Sequence, residues 1–249
     1  MNEKIKEYYD EIDSKIKLGY DVAEKARSLG YDPVKNVEIP LTRNMAERVE
    51  GLISVVAPQI KNSGVVQRIE ELEKQFGKLD WRVALNVSLE VVQERFCKFK
   101  DKHEAMQTGI RVGLAYLSNG VVSSPLEGFT ELKIKRRRDG KEYFCLMFSG
   151  PIRSAGTTIT CGSILVADYI RKKMGYFPYD PTEPEIKRIM VEVYDYHERI
   201  TNIQYLPSEI EIDFMIRNLP MQIDGEPSEK LDVSNYKDIE RIETNKLRG

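Results

Sequence analysis

Cysteine is scarce: the 249 residues hold Cys97, Cys145 and Cys161, odd in number, far apart and never in a C-x-x-C pair. That spacing indicates neither a disulfide framework nor a zinc ribbon, and a reducing, cytoplasmic location is expected. Long apolar runs are missing too; no stretch approaches the roughly 18 residues that span a bilayer, and the first residues, MNEKIKEYYDEID, alternate acid and base. A secreted or membrane-inserted protein is not expected. Charge of one sign is also lacking, since 31% charged residues leave a formal net charge of only -2. A uniformly basic nucleic-acid binder is thereby excluded, and any contact with DNA has to be a local patch. Histidine is limited to His103 and His197, no H-E-x-x-H or Asp-x-Asp pair occurs, and Cys97 and Cys161 have no neighbouring base. No catalytic constellation is visible, and the cysteines are expected to be buried packing.

What is present is helical periodicity, then strands. With 41% hydrophobic residues the chain can bury one sizeable core or two modest ones. Ile5, Tyr9, Ile12, Ile16, Tyr20 and Ala23 recur at steps of four and three, an apolar stripe on a helix from about Glu3 to Leu29 that Gly30 caps. Asp32-Pro33 turns the chain into an extended connector over 34–41, so residues 1–41 are expected to form an assembly arm. The seam, flanked by charge, suits docking on another chain or self-association; packing on the helices that follow would use the same stripe.

Residues 42–118 read as a small helical layer. Asn44 with Glu47 opens a helix that ends before Pro58; Val65 to Phe76 and Asp80 to about Lys100 follow at helical spacing, then Glu104 to Leu117. From Gly128 the period changes to two. Thr130, Leu132 and Ile134 face one way, and Glu131, Lys133, Lys135 and Arg137 make a solvated face. Asp139-Gly140 predicts a hairpin to Tyr143–Phe148, and Asp224-Gly225 a second hairpin between residues 221–223 and 230–233. Helices open at Thr182 with Glu185 and at Ser208 with Glu211. The expected fold class is α+β: an amino-terminal amphipathic helix, a small helical layer, then a mixed α/β region over 119–249 with two β-hairpins.

Two local patterns carry candidate binding chemistry. Lys133, Lys135, Arg136, Arg137, Arg138 and Lys141 cluster on one hairpin, where a phosphate backbone would meet them in series without sequence preference. A soluble hairpin whose basic edge blocks strand pairing would use the same residues. Gly150 to Thr158 links a strand to a helix amino terminus beside Arg153, a geometry that can hold a phosphate, although no P-loop lysine follows and a plain capped turn accounts for it equally. Glu209, Glu211 and Asp213 alternate after the Ser208 cap, where acids favour the helix dipole, and no metal role is assigned to them.

Ser149-Gly150-Pro151-Ile152-Arg153-Ser154-Ala155-Gly156-Thr157, with Val166-Ala167-Asp168-Tyr169-Ile170-Arg171-Lys172 after it, resembles the large subunit of archaeal family D DNA polymerases. Tyr196-His197, Thr201 to Ser208, Asn218-Leu219-Pro220, Asp224-Gly225-Glu226-Pro227 and Glu243 to Gly249 resemble that family's pattern in the same order, and Tyr8-Tyr9 with Gly19-Tyr20 fits its opening. Thr157-Thr158 departs from it where a second glycine is expected. The resemblance implies template-directed DNA synthesis by a longer protein, with a smaller partner subunit bearing 3'-5' exonuclease activity. It also implies that the polymerase centre, with its Asp-Gly-Asp element and divalent metal (Mg), lies downstream, since neither Asp139-Gly140-Lys141 nor Asp224-Gly225-Glu226 matches that element. The chain is then expected to be a portion of that subunit, inactive alone, with no cofactor of its own. Its role would be subunit assembly and non-sequence-specific DNA binding, or, as the alternative, a scaffold bracing the catalytic barrels without touching DNA.

Overall fold

The computed structural model describes residues 3–31, 42, 44–118, 124–150, 152 and 157–248. The connector over 34–41, most of the Ser118–Ser124 stretch and Arg153 with its loop neighbours lie outside the described residues. The chain divides into two units, Met1–Leu41 and Thr42–Gly249.

The first unit is one helix, α1 (Glu3–Ser28), with Lys25 and Arg27 in its last turn where cations suit the dipole. Gly30 at φ 78° ends it, with the Tyr31 amide donating to the Ala26 carbonyl at 3.0 Å. No α1 residue is buried. Of the expected stripe, Ile5 and Tyr9 are exposed and Ile12, Ile16 and Tyr20 half-buried.

The second unit starts with α2 (Met45–Ile53), α3 (Val65–Phe76), α4 (Trp81–Val92) and α5 (Lys102–Leu117). Asn44, Asp80 and Asp101 accept first-turn amides at 2.9, 2.8 and 2.8 Å, which fixes three of the four starts. The third helical run is shorter than its periodicity suggests. α4 ends at Val92 because Glu94 takes φ 55°, and apolar spacing alone does not register such a turn.

Helix α5 is the axis of this unit. From Ala105 to Tyr116 every residue but Gln107 is buried, and the Gln107 side chain accepts the Leu132 amide at 3.0 Å. Strands β1 (Phe129–Arg136) and β2 (Glu142–Phe148) pair antiparallel through the expected hairpin, with a bulge at Phe129/Glu131. Next come α6 (Thr157–Lys173), α7 (Glu183–Arg199) and α8 (Glu209–Asn218), the last two opened by full capping boxes at Thr182/Glu185 and Ser208/Glu211. Strand β3 (Gln222–Gly225) completes a sheet of order β1-β2-β3.

The second hairpin is not formed. Asp224 and Gly225 lie inside β3, which runs parallel to β2, with Phe148 opposite Gly225. Gly225 serves close approach: a Cβ there would stand 2.4 Å from the Phe148 carbonyl oxygen. The α+β class holds, with one hairpin and one parallel pair. A single core runs from Ala46 to Met221 through the helices and the sheet, and Ile186, Ile212 and Ile216 form a smaller one between α7 and α8.

Candidate functional site

Residues 241–248 cross the sheet and meet one charged partner after another. Arg241 reaches Asp180 at 2.6 Å and Glu185 at 2.7 Å. Glu243 takes Lys133 at 2.5 Å and Lys135 at 3.2 Å, and the Thr244 carbonyl accepts from Arg188 at 2.8 Å. Arg248 pairs through its guanidinium with both Glu192 and Asp224, and its amide donates to Glu192 at 2.6 Å. Arg188, fully buried, closes the set on Glu192 at 2.5 Å. Two guanidiniums and two carboxylates thus neutralise one another where water is excluded, the condition under which buried charges are tolerated.

Electrostatics follow from that packing. Burial works against the Arg248 charge, yet Glu192 and Asp224 outweigh it and lift its pKa above the arginine range. Burial likewise opposes ionisation of Glu185, and the Arg241 and Thr182 donors overcome it, leaving that carboxyl below the usual value. The Lys133 bond holds Glu243 low as well. Depressed carboxylate pKa values add stability above the unfolded value and lose it as pH falls through the folded one. The thermal midpoint is therefore expected to drop as the pH goes below about 4.3, the ordinary glutamate value. Glu185→Gln should flatten that profile while lowering the midpoint at neutral pH; an unchanged profile would show that the seam does not hold the segment.

This seam corrects the sequence reading of β1. The face expected to be solvated is roofed by 241–248: Lys135 is 14% exposed in its side chain, contacting Asp224 at 3.5 Å and the Arg241 carbonyl at 2.8 Å, and Lys133 is 29% exposed. Arg137 donates to the Pro178 carbonyl at 2.7 Å. Arg138 pairs with Asp180 at 3.2 Å and Lys141 with Asp139 at 3.4 Å, both cations keeping at least half their side chain exposed; Arg136 is exposed. Lys141 also sits 4.4 Å from the Phe177 ring centre. The six cations lie on one hairpin as expected, but only its tip presents them to solvent. Arg153 lies outside the described residues.

Beside the seam opens a pocket of about 390 Å³ at the carboxyl ends of β2 and β3. Phe148, Ile152, Ile189, Val193, Ile203 and Ile223 give it apolar walls, Gly150 and Gly225 bring backbone to its edge, and the Glu192–Arg248–Asp224 set stands at one side. Strings far apart in sequence converge here: Ser149-Gly150, Tyr196, Ile203, Asp224-Gly225-Glu226 and Arg248 all line it. Sequence reading found those strings but missed Arg188 and Glu192, whose one signal was a charged pair four residues apart on α7.

Cys161 is exposed, against the expectation of burial, because it lies on an outward position of α6; Cys145 is buried, which pushes its thiol up to about 12, and Cys97 is half-buried. Glu211 is confirmed as a cap, accepting from the Ser208 amide at 2.8 Å. Among the described residues no group of three or more His, Cys, Asp or Glu side chains could hold a metal ion, and no helix is long and apolar enough to cross a membrane.

The family described as DNA polymerase II large subunit DP2, N-terminal, matches residues 7–249. The DNA polymerase II large subunit of Nanoarchaeum equitans is 46% identical over 217 residues, 87% of this chain and 18% of that protein. The corresponding subunit of Methanosarcina barkeri is 38% identical over 248 residues, covering 100% of this chain and 21% of its own length, and that of Thermoplasma acidophilum is 41% identical over 215 residues. The chain spans about a fifth of the length of the curated relatives it matches. A match across nearly the whole chain, with relatives of 38–46% identity, leads to one assignment: the chain belongs to the archaeal DNA polymerase II (family D) large subunit DP2 family, as its N-terminal region.

Proposed function

We propose that this region is the assembly domain of a replicative DNA-directed DNA polymerase, with α1 docking on the small subunit and nucleotidyl transfer, with its magnesium, carried elsewhere in the large subunit. The supporting observation is α1 itself. A helix of 26 residues with nothing buried, and with Ile5 and Tyr9 46% and 56% exposed on the same stripe as Ile12, Ile16 and Tyr20, carries an apolar face that a partner can cover. Tyrosine is among the residue types enriched at the energetic centres of interfaces. A large subunit implies a smaller companion, which makes that companion the occupant of choice. The test is capture of the small subunit by the large subunit lacking residues 1–31: loss supports the reading, and undiminished capture refutes it.

DNA contact is a second, narrower reading, supported by Arg136, Arg138 and Lys141 at the exposed hairpin tip. Exposed ion pairs are weak enough for a phosphate to replace the carboxylate. Anisotropy of primer–template DNA across a salt series should show a log-log slope smaller by roughly two to three for Arg136→Ala/Arg138→Ala/Lys141→Ala. Lys133→Ala/Lys135→Ala should lower the thermal midpoint and leave the slope alone. Equal slopes for wild type and the tip variant would favour the scaffold without DNA contact.

A further inference from the structure

An aromatic ring stands in solvent beside the cations of the hairpin tip. Phe177 is 40% exposed, whereas Tyr176 packs on Phe144 with ring centres 4.9 Å apart and Tyr179 is buried against Tyr143. The backbone around it is fixed on both sides. The Phe177 amide donates to the Glu142 carbonyl at 2.9 Å, the Tyr176 carbonyl accepts from the buried Arg171 at 2.7 Å, and the Pro178 carbonyl accepts from Arg137 at 2.7 Å. The ring is thus presented at a set place. Lys141 Nζ lies 4.4 Å and the Arg137 guanidinium 5.9 Å from its centre, so cations and a π face share one surface. Arg138 and Lys141 keep 68% and 50% of their side chains in solvent, and Arg136 is exposed. Cations alone serve any phosphate backbone, paired or unpaired. A π face beside them discriminates. In a duplex each base is stacked on its neighbours, and freeing one costs unstacking energy. An unpaired base offers its face at no such cost, and every base has one, so the combination takes single strands without sequence preference.

We propose that the hairpin tip binds unpaired DNA, with a base stacked on Phe177 and the flanking phosphates held by Arg136, Arg138 and Lys141. Asp180 and Asp139, which pair with Arg138 and Lys141 at 3.2 and 3.4 Å, give way to those phosphates. The inference rests on the DNA-contact reading of the tip and narrows it from DNA at large to single strands.

The test follows the anisotropy of a labelled oligo(dT) of about 12 nucleotides, in the size range of single-strand sites, beside a duplex of the same length, on the 249-residue chain. Phe177→Ala should weaken oligo(dT) binding by roughly tenfold, the effect of losing a base–aromatic contact. Its salt slope should not change, because the ring holds no phosphate. Duplex affinity should stay as it is. Phe177→Trp should keep the single-strand affinity, and the fluorescence it adds to that of Trp81 should be quenched by oligo(dT) and not by the duplex. Equal oligo(dT) affinity of wild type and Phe177→Ala, or the same loss on the duplex, overturns the stacking while the DNA-contact reading stands. Added fluorescence in Phe177→Trp that oligo(dT) leaves unchanged, or that both DNAs quench alike, overturns it as well, whatever Phe177→Ala does to the hairpin. Failure of the wild type to bind either DNA at low salt overturns both readings.

Discussion

Glu192→Ala is expected to destabilise the 42–249 unit by about 3–5 kcal/mol, the cost of removing one member of a buried ion-pair set and leaving the others without it. Glu192 is 5% exposed and Arg188 fully buried, so solvent does not replace the lost carboxylate. Both guanidiniums lose their contact with it at once, at 2.5 Å for Arg188 and at the Arg248 clamp. Urea unfolding followed by circular dichroism measures the loss. Arg188→Met combined with Glu192→Leu should cost less than Glu192→Ala alone, because apolar side chains of similar volume avoid the burial penalty that an orphaned charge incurs. A loss below about 1 kcal/mol for Glu192→Ala would mean that the pair behaves as an exposed one, and the seam would no longer explain how 241–248 is held.

The same chemical change should have opposite signs at two glycines. At Gly109 of α5 a Cβ would stand 2.8 Å from the Ser88 carbonyl oxygen and 2.5 Å from Val92 Cγ2, so α4 cannot yield without moving its backbone. Overpacking of this kind costs about 1–3 kcal/mol, against a helix-propensity gain of about 1 kcal/mol. Gly109→Ala should therefore be net destabilising, and Gly109→Val more so. Gly19 of α1 has nothing within 4 Å of its Cβ position, which leaves the propensity gain unopposed. Gly19→Ala should raise the helicity of α1, read as residual circular dichroism after the 42–249 unit has melted. A neutral Gly109→Ala would contradict the close crossing of α4 and α5.

Elements written in local chemistry were legible in the sequence. The caps at Asn44, Thr182 and Ser208, the Asp139-Gly140 hairpin and the period of α1 depend on neighbours a few residues away, and each stands where the pattern puts it. Asp224-Gly225 misled because a residue pair suited to a turn is also suited to a strand edge where another backbone must come close, and only the Phe148 carbonyl decides between them. Lys133 and Lys135 alternate like a wet strand face, yet the acids that cover them come from Asp224 and Glu243, about ninety residues or more along the chain and so outside any local pattern. The pocket was half legible. Its strings could be quoted one by one, while their convergence is a product of β3 running parallel to β2 and of α7 bringing Ile189, Glu192, Val193 and Tyr196 to the same pocket.

The measurement closest to the central claim is light-scattering mass of the large subunit mixed with the small subunit, intact and lacking residues 1–31. The intact protein should give the mass of a complex, and the truncated one two separate masses, with the 42–249 unit still folded by circular dichroism. A truncated protein that forms the complex with unchanged mass and affinity would contradict the assembly role of α1.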